Sequence, residues 1–204
     1  MGHSEKVFVM RIFLSVLIFI FSFQSLTKAD DIRNFEIEGM SIGDSLLDYF
    51  SENEIRKSLN DKLTYPSSDK FVIIDFNIQL EKYDAITFHV KKNDKKFIIY
   101  EIAAIKDFKN NIEDCYKLSD EISKEVEKIY IDTAKLPYEK KHAVDKTGKS
   151  INKGYDFDFE SGDYINIACY DWSKKIENER NWADHLRVGL VTNELSVWLS
   201  NEAY

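Results

Sequence analysis

Cysteine, proline and glycine are all scarce in this chain of 204 residues: two Cys, two Pro and seven Gly. So little Pro and Gly excludes collagen-like and low-complexity polymers. Two Cys alone do not make a metal site. Basic charge is also short, 28 Lys+Arg against 36 Asp+Glu, for a net of −8. That balance disfavours a nucleic-acid binder, which needs clustered Lys and Arg to neutralise phosphates. Beyond the N-terminus no apolar run is long enough to span a bilayer, which takes roughly 20 residues. What remains is 44% hydrophobic and 31% charged, the profile of a globular chain of one domain or slightly more.

The N-terminus carries an address. Lys6 and Arg11 precede an apolar stretch from Ile12 to Phe23, and Thr27-Lys28-Ala29 closes it in a small-x-small pattern. Residues 1–29 therefore read as a cleaved signal peptide, with Met10 as an alternative start. The stretch is short for a permanent anchor, and no Cys follows it to accept a lipid. The expected destination is a bacterial periplasm or the exterior. ATP is scarce there, which disfavours kinases and ATPases. The domain proper is then 30–204, and it is more acidic than the whole chain.

Export makes a Cys115–Cys169 disulfide the default expectation. The local patterns agree. Cys115, Leu118, Ile122, Val126 and Ile129 step at helical spacing, and Ile165, Ile167 and Cys169 share one strand face. A helix lying on a sheet brings two such positions together.

Elsewhere, Phe35–Glu38 alternates as a short strand, and Leu46, Leu47 and Phe50 share a helical face. Ser51 and Glu54 form a capping box for a helix to about Leu59. Phe71–Phe76 and Ala85–Val90 read as strands. Asn93-Asp94 turns the chain into a third, Phe97–Ile105. Asn110 or Asn111 starts the Cys115 helix. Residues 132–153, with six Lys, read as a long flexible loop. Tyr155, Phe157 and Phe159 alternate with Asp156, Asp158 and Glu160, and Ser161-Gly162 turns into the Cys169 strand. Leu186–Val191 and Leu195–Leu199 read as a closing hairpin. The sum is an α+β fold, two-layered, with a mostly antiparallel sheet of five to seven strands and helices on one face.

Gly43-Asp44-Ser45-Leu46 resembles the nucleophile block of GDSL-type esterases and lipases, with Ser45 in the nucleophile position. Two departures accompany it. Lys91 stands where that family's Gly-x-Asn-Asp block needs Gly, and Trp182 where its Asp-x-x-His block needs Asp before His185. A nucleophilic Ser needs a base and an orienter, so Gly43-Asp44 is read as a turn that caps a helix. Ser45 with His185 or His142 is kept as an alternative. Gly148-Lys149-Ser150 matches the tail of a phosphate loop, but Ala143 replaces its first Gly. Asp156, Asp158 and Glu160 have calcium-loop spacing, but Ser161 and Ile167 occupy the positions that need Gly and Glu. His89, His142 and His185 lack the i, i+4 spacing of a zinc helix. No metal and no cofactor is expected.

Tyr164, Tyr170 and Trp172 fall on the face opposite Ile165 and Cys169. Together with Asp156, Asp158 and Glu160 they form the candidate ligand surface.

The run Phe35–Tyr49, FEIEGMSIGDSLLDY, resembles the mature N-terminus of a group of exported bacterial proteins with no assigned activity. The resemblance implies export and size, and assigns no catalytic residue. The expected function is a non-catalytic binding or interaction domain, for a small ligand or an envelope protein. A Ser45 hydrolase and an envelope-assembly factor are the alternatives.

Overall fold

The structure is a computed structural model and describes residues 31–59, 65–76, 80, 82–109 and 111–203. The signal sequence expected over 1–29 lies outside them. The described chain forms one antiparallel sheet of seven strands: β1 (Phe71–Phe76), β2 (Ala85–Lys91), β3 (Glu101–Asp107), β4 (Ala134–Lys141), β5 (Ile151–Asp158), β6 (Tyr164–Asp171) and β7 (His185–Val191). Their spatial order is β1-β2-β3-β7-β6-β5-β4. Four α-helices accompany it: α1 (Glu52–Lys57), α2 (Ile112–Ile129), α3 (Lys174–Arg180) and α4 (Asn193–Asn201). The α+β class, the antiparallel sheet and the strand number agree with the sequence reading. Among the described residues, no helix is long and apolar enough to cross a membrane.

Alternation divides the sheet into two faces. Ile74, Ile86, Phe88, Ile102, Ala104, Val188, Leu190, Ile165, Ile167 and Phe157 point to one face and are buried. Helix α2 covers this face over β5, β6 and β7. Its buried seam is Cys115, Ser119, Ser123, Val126 and, just past its end, Tyr130. This seam is rotated from the expected stripe, and Ile129 is 53% exposed. Small serines let the helix approach closely, and Ser119 Oγ lies 3.5 Å from the Ile167 carbonyl. Cys115 and Cys169 are joined, with Cα atoms 6.0 Å apart, and no free cysteine remains. The segment 31–59 packs over the β1–β2 side of the same face, where Phe50 stacks on Phe76 at 4.0 Å.

Three expectations are corrected. Residues 132–153 are not one long flexible loop, because Ala134–Lys141 pairs with Ile151–Asp158 along its whole length. The reason is position. β4 is an edge strand, and an edge carrying Lys and Pro137 has none of the apolar alternation by which buried strands are recognised. Only the turn between them is irregular. There the Asp145 carboxylate accepts from Thr147 N–H (2.9 Å), Ser150 N–H (3.0 Å) and Ser150 Oγ (2.8 Å). Gly148-Lys149-Ser150 is spent closing this turn. Second, Leu195–Leu199 is helical. Thr192 Oγ1 accepts from Leu195 N–H at 3.3 Å, and Leu195, Trp198 and Leu199 gather at helical spacing. Third, Phe35–Glu38 is not a strand: a 3₁₀ turn, Ile32–Asn34, is followed by a single bridge, Ile37 to Met40.

Helix α4 lies over one end of the second face. Phe71, Val191, Leu195, Trp198 and Ala203 form a small core there, with Tyr65, Tyr100, Tyr164 and Leu199 at its margin. The rest of the second face is not covered by helix α2 or by segment 31–59.

Candidate functional site

The second face is polar where a covered face would be apolar. His89 (β2), Glu101 (β3), Arg187 (β7), Asn166 (β6), Asp156 and Asn152 (β5) and Tyr138 (β4) all point into it, one after another across the strand order. They form a connected chain. Tyr65 Oη lies 2.6 Å from His89 Nε2. His89 Nδ1 abuts one Glu101 carboxylate oxygen, and Arg187 Nη2 donates to the other. Arg187 Nη1 donates to Asn166 Oδ1 at 3.2 Å. Asn166 Nδ2 donates to Asp156 Oδ1 at 2.7 Å and to Tyr138 Oη at 2.9 Å. Tyr138 Oη donates to Asn152 Oδ1 at 3.3 Å.

Small residues make room for this chain. The guanidinium of Arg187 lies over Gly189, where a Cβ would stand 2.6 Å from Nη1. Glu101 is only 4% exposed, and a carboxylate so buried is tolerable because Arg187 neutralises it. Burial, reinforced by the Arg187 charge, pushes the His89 pKa down to about 3. Its ring is therefore neutral. The neutral ring meets Tyr65 through Nε2 and turns Nδ1 toward the Glu101 carboxylate, where it makes no hydrogen bond among the described residues. Burial also pushes the phenols of Tyr138 and Tyr164 up to about 12 and that of Tyr170 higher still. All three stay protonated and can both donate and accept.

Over this floor opens a cleft of about 720 Å³, walled by Tyr65, by Ser196 and Leu199 of α4, and by Lys140 of β4. A second cavity of about 1020 Å³ adjoins it and shares Tyr65, Tyr170 and Arg187. Its walls are aromatic. Tyr170 stacks on His185 at 4.7 Å, and Trp172 packs at 4.7 Å against both Trp182 and His142. Burial lowers the pKa values of His142 and His185, so these rings too are neutral. Trp172 Nε1 is buried and has no hydrogen-bond partner among the described residues.

Of the candidate surface residues, Asp156, Asp158, Tyr164 and Tyr170 line the first cavity, and Tyr170 and Trp172 line the second. Glu160 lies in the β5–β6 turn and lines neither. Ser45 is elsewhere. Gly43 turns the chain at a φ of +89°, a conformation that favours glycine. Ser45 caps a 3₁₀ turn, Leu46–Asp48: its hydroxyl donates to the Lys96 carbonyl at 2.5 Å and accepts from Leu47 N–H at 3.2 Å. Asp44 accepts from Ser41 N–H and Tyr49 Oη. Ser45 bridges Ile98, before β3 begins, whereas His185 pairs with Asp107 at the far end of β3. The structure therefore does not bring Ser45 and His185 together. The floor residues that sequence reasoning missed are His89, Glu101, Arg187, Asn166, Asn152 and Tyr138. The available signal was charge at core-strand positions, Glu101 before Ile102-Ala103-Ala104 and Arg187 between Leu186 and Val188. Among the described residues no group of His, Cys, Asp and Glu is placed to hold a metal. Compared with known proteins, the chain matches no family model, no curated protein and no solved structure.

Proposed function

We propose that this protein is an exported, non-catalytic binding domain whose ligand rests on the second face of its sheet. The connected chain of polar side chains from Tyr65 to Asn152 carries the reading. It forms the floor of an open cleft and fixes its donors and acceptors in advance, which lowers the ordering cost of recognition. The titratable groups of the floor are tied to one another: His89 is neutral between Tyr65 and Glu101, and Glu101 is held by Arg187. Such an arrangement positions a ligand rather than supplying a free nucleophile or base. Export is supported by the signal-like N-terminal sequence and by the Cys115–Cys169 bridge, which suits an oxidising compartment such as the periplasm.

The test is thermal unfolding of residues 30–204 against a mixed library of neutral, anionic and cationic small molecules. Ser196→Tyr, beside the wild type, fills the cleft from α4 and replaces the serine that hydrogen-bonds Tyr164. A ligand at about 100 times its Kd should stabilise the wild type by about 2.7 kcal/mol, and the filled variant should lose that gain when each is compared with its own unliganded Tm. A library without a stabiliser, or a shift that survives Ser196→Tyr, overturns the reading.

A further inference from the structure

The two adjoining cavities hold more information than their volumes. Their cations are engaged within the chain. In the aromatic cavity Lys174 pairs with Glu177 at 2.7 Å and Lys109 with Asp107 at 3.7 Å, and Arg187 is matched by Glu101. In the polar cleft the ammonium of Lys140 sits 4.6 Å over the Tyr138 ring, and Asp156 is engaged by Asn166. An anionic ligand needs an uncompensated cation, whereas the lysines and Arg187 lining these cavities are engaged within the chain, and the Asp156 and Asp158 carboxylates of the cleft repel an anion. The neutral chemistry of the lining has two kinds. One is a set of neutral groups that donate and accept at once: the phenols of Tyr138, Tyr164 and Tyr170 and the amides of Asn152 and Asn166. The other is a wall of neutral rings, Tyr170, Trp172, Trp182, His142 and His185.

We infer that the ligand is an uncharged saccharide of more than one ring, an inference that rests on the binding-cleft reading above. Sugar hydroxyls both donate and accept, as the phenols and amides of the floor do. The C–H faces of a pyranose are apolar and pack on aromatic rings, as the Trp172 and Trp182 wall allows. Size agrees with more than one ring: each cavity is on the scale of a whole small-molecule site, about 300–1,000 Å³, and Tyr170 and Arg187 belong to both.

The experiment is titration of the folded 30–204 domain with four neutral tetrasaccharides, cellotetraose, maltotetraose, mannotetraose and the tetramer of N-acetylglucosamine, read by tryptophan fluorescence and calorimetry. Two of the three Trp residues of the chain line the aromatic cavity. At least one sugar should bind and change the emission. Trp182→Ala, at a half-buried position, should weaken it about tenfold, and Trp182→Phe should restore much of the affinity. Binding should change less than twofold between low and high salt, because no ion pair forms across the site. No binding of any of the four at about 5 mM, steep salt dependence, or affinity unchanged in Trp182→Ala overturns the inference. If instead a charged compound stabilises the wild type and Ser196→Tyr abolishes that gain, the saccharide class fails and the binding cleft stands. If no compound of any class stabilises the domain, both fail.

Discussion

His89 and Arg187 show how single residues set the character of the second face. Each is embedded in a sheet, where an unmatched charge is expensive. Arg187 is matched by Glu101, and His89 escapes the penalty by staying neutral. The consequence is a pH dependence of stability. An unfolded His89 titrates near its ordinary 6.5, whereas the folded one binds a proton only near 3. Across that window the unfolded chain holds more protons, so stability falls as pH falls. His142 and His185 are shifted in the same direction by burial. Asp156, Asp171 and Asp184 are shifted up by burial and act in the opposite sense, at the acid end. Between about pH 7 and pH 5, where the histidines dominate, Tm should therefore drop on acidification. His89→Gln should flatten that drop. Equal slopes in wild type and variant, measured by thermal unfolding, would contradict the neutral assignment of His89.

Among the elements, helix α2 is fastened to the sheet in two ways. Its small-residue seam lies close over β6, and the Cys115–Cys169 bond ties the first turn of the helix to the end of that strand. The bond spans a sequence separation of 54, for which loop-closure entropy predicts about 4 kcal/mol. Replacing both cysteines with Ala should lower the free energy of unfolding by about 2–5 kcal/mol in urea titrations, and a loss below about 1 kcal/mol would show that the bond does not restrain the unfolded chain in that way. Elements also mark where sequence patterns carry information. The Cys115 helix, the Cys169 strand and the Ser51–Glu54 capping box were legible because each repeats a local rule, a 3.6 period, a 2 period or a cap. β4 was not, because an edge strand protects itself with Lys and Pro and so loses its apolar signature. α4 was not, because Leu186–Val191 and Leu195–Leu199 are both short apolar runs, and only the Thr192 cap separates strand from helix. Six of the floor residues were invisible for a different reason. They come from β2, β3, β4, β5, β6 and β7, whose adjacency is a property of the strand order, and no local pattern states it.

For the whole molecule, the two faces of one sheet have separate tasks. One face is closed by α2 and segment 31–59 over an aliphatic and aromatic core. The other leaves a connected set of fixed polar groups beneath two adjoining cavities. A polar floor of this kind does little for the stability of the sheet beyond what an apolar one would, and its organisation fits the binding role proposed for this face. The central claim is that this face is where the molecule meets its ligand. The most direct measurement is a map of amide chemical-shift changes in isotopically labelled 30–204 upon addition of any compound that raises its Tm. The account predicts shifts concentrated on Asn152, Asn166, Tyr170, Arg187 and Gly189, with the amides of α2 unmoved. Changes centred on α2 and segment 31–59, or on the Ser45 turn, with the second face silent, would contradict it.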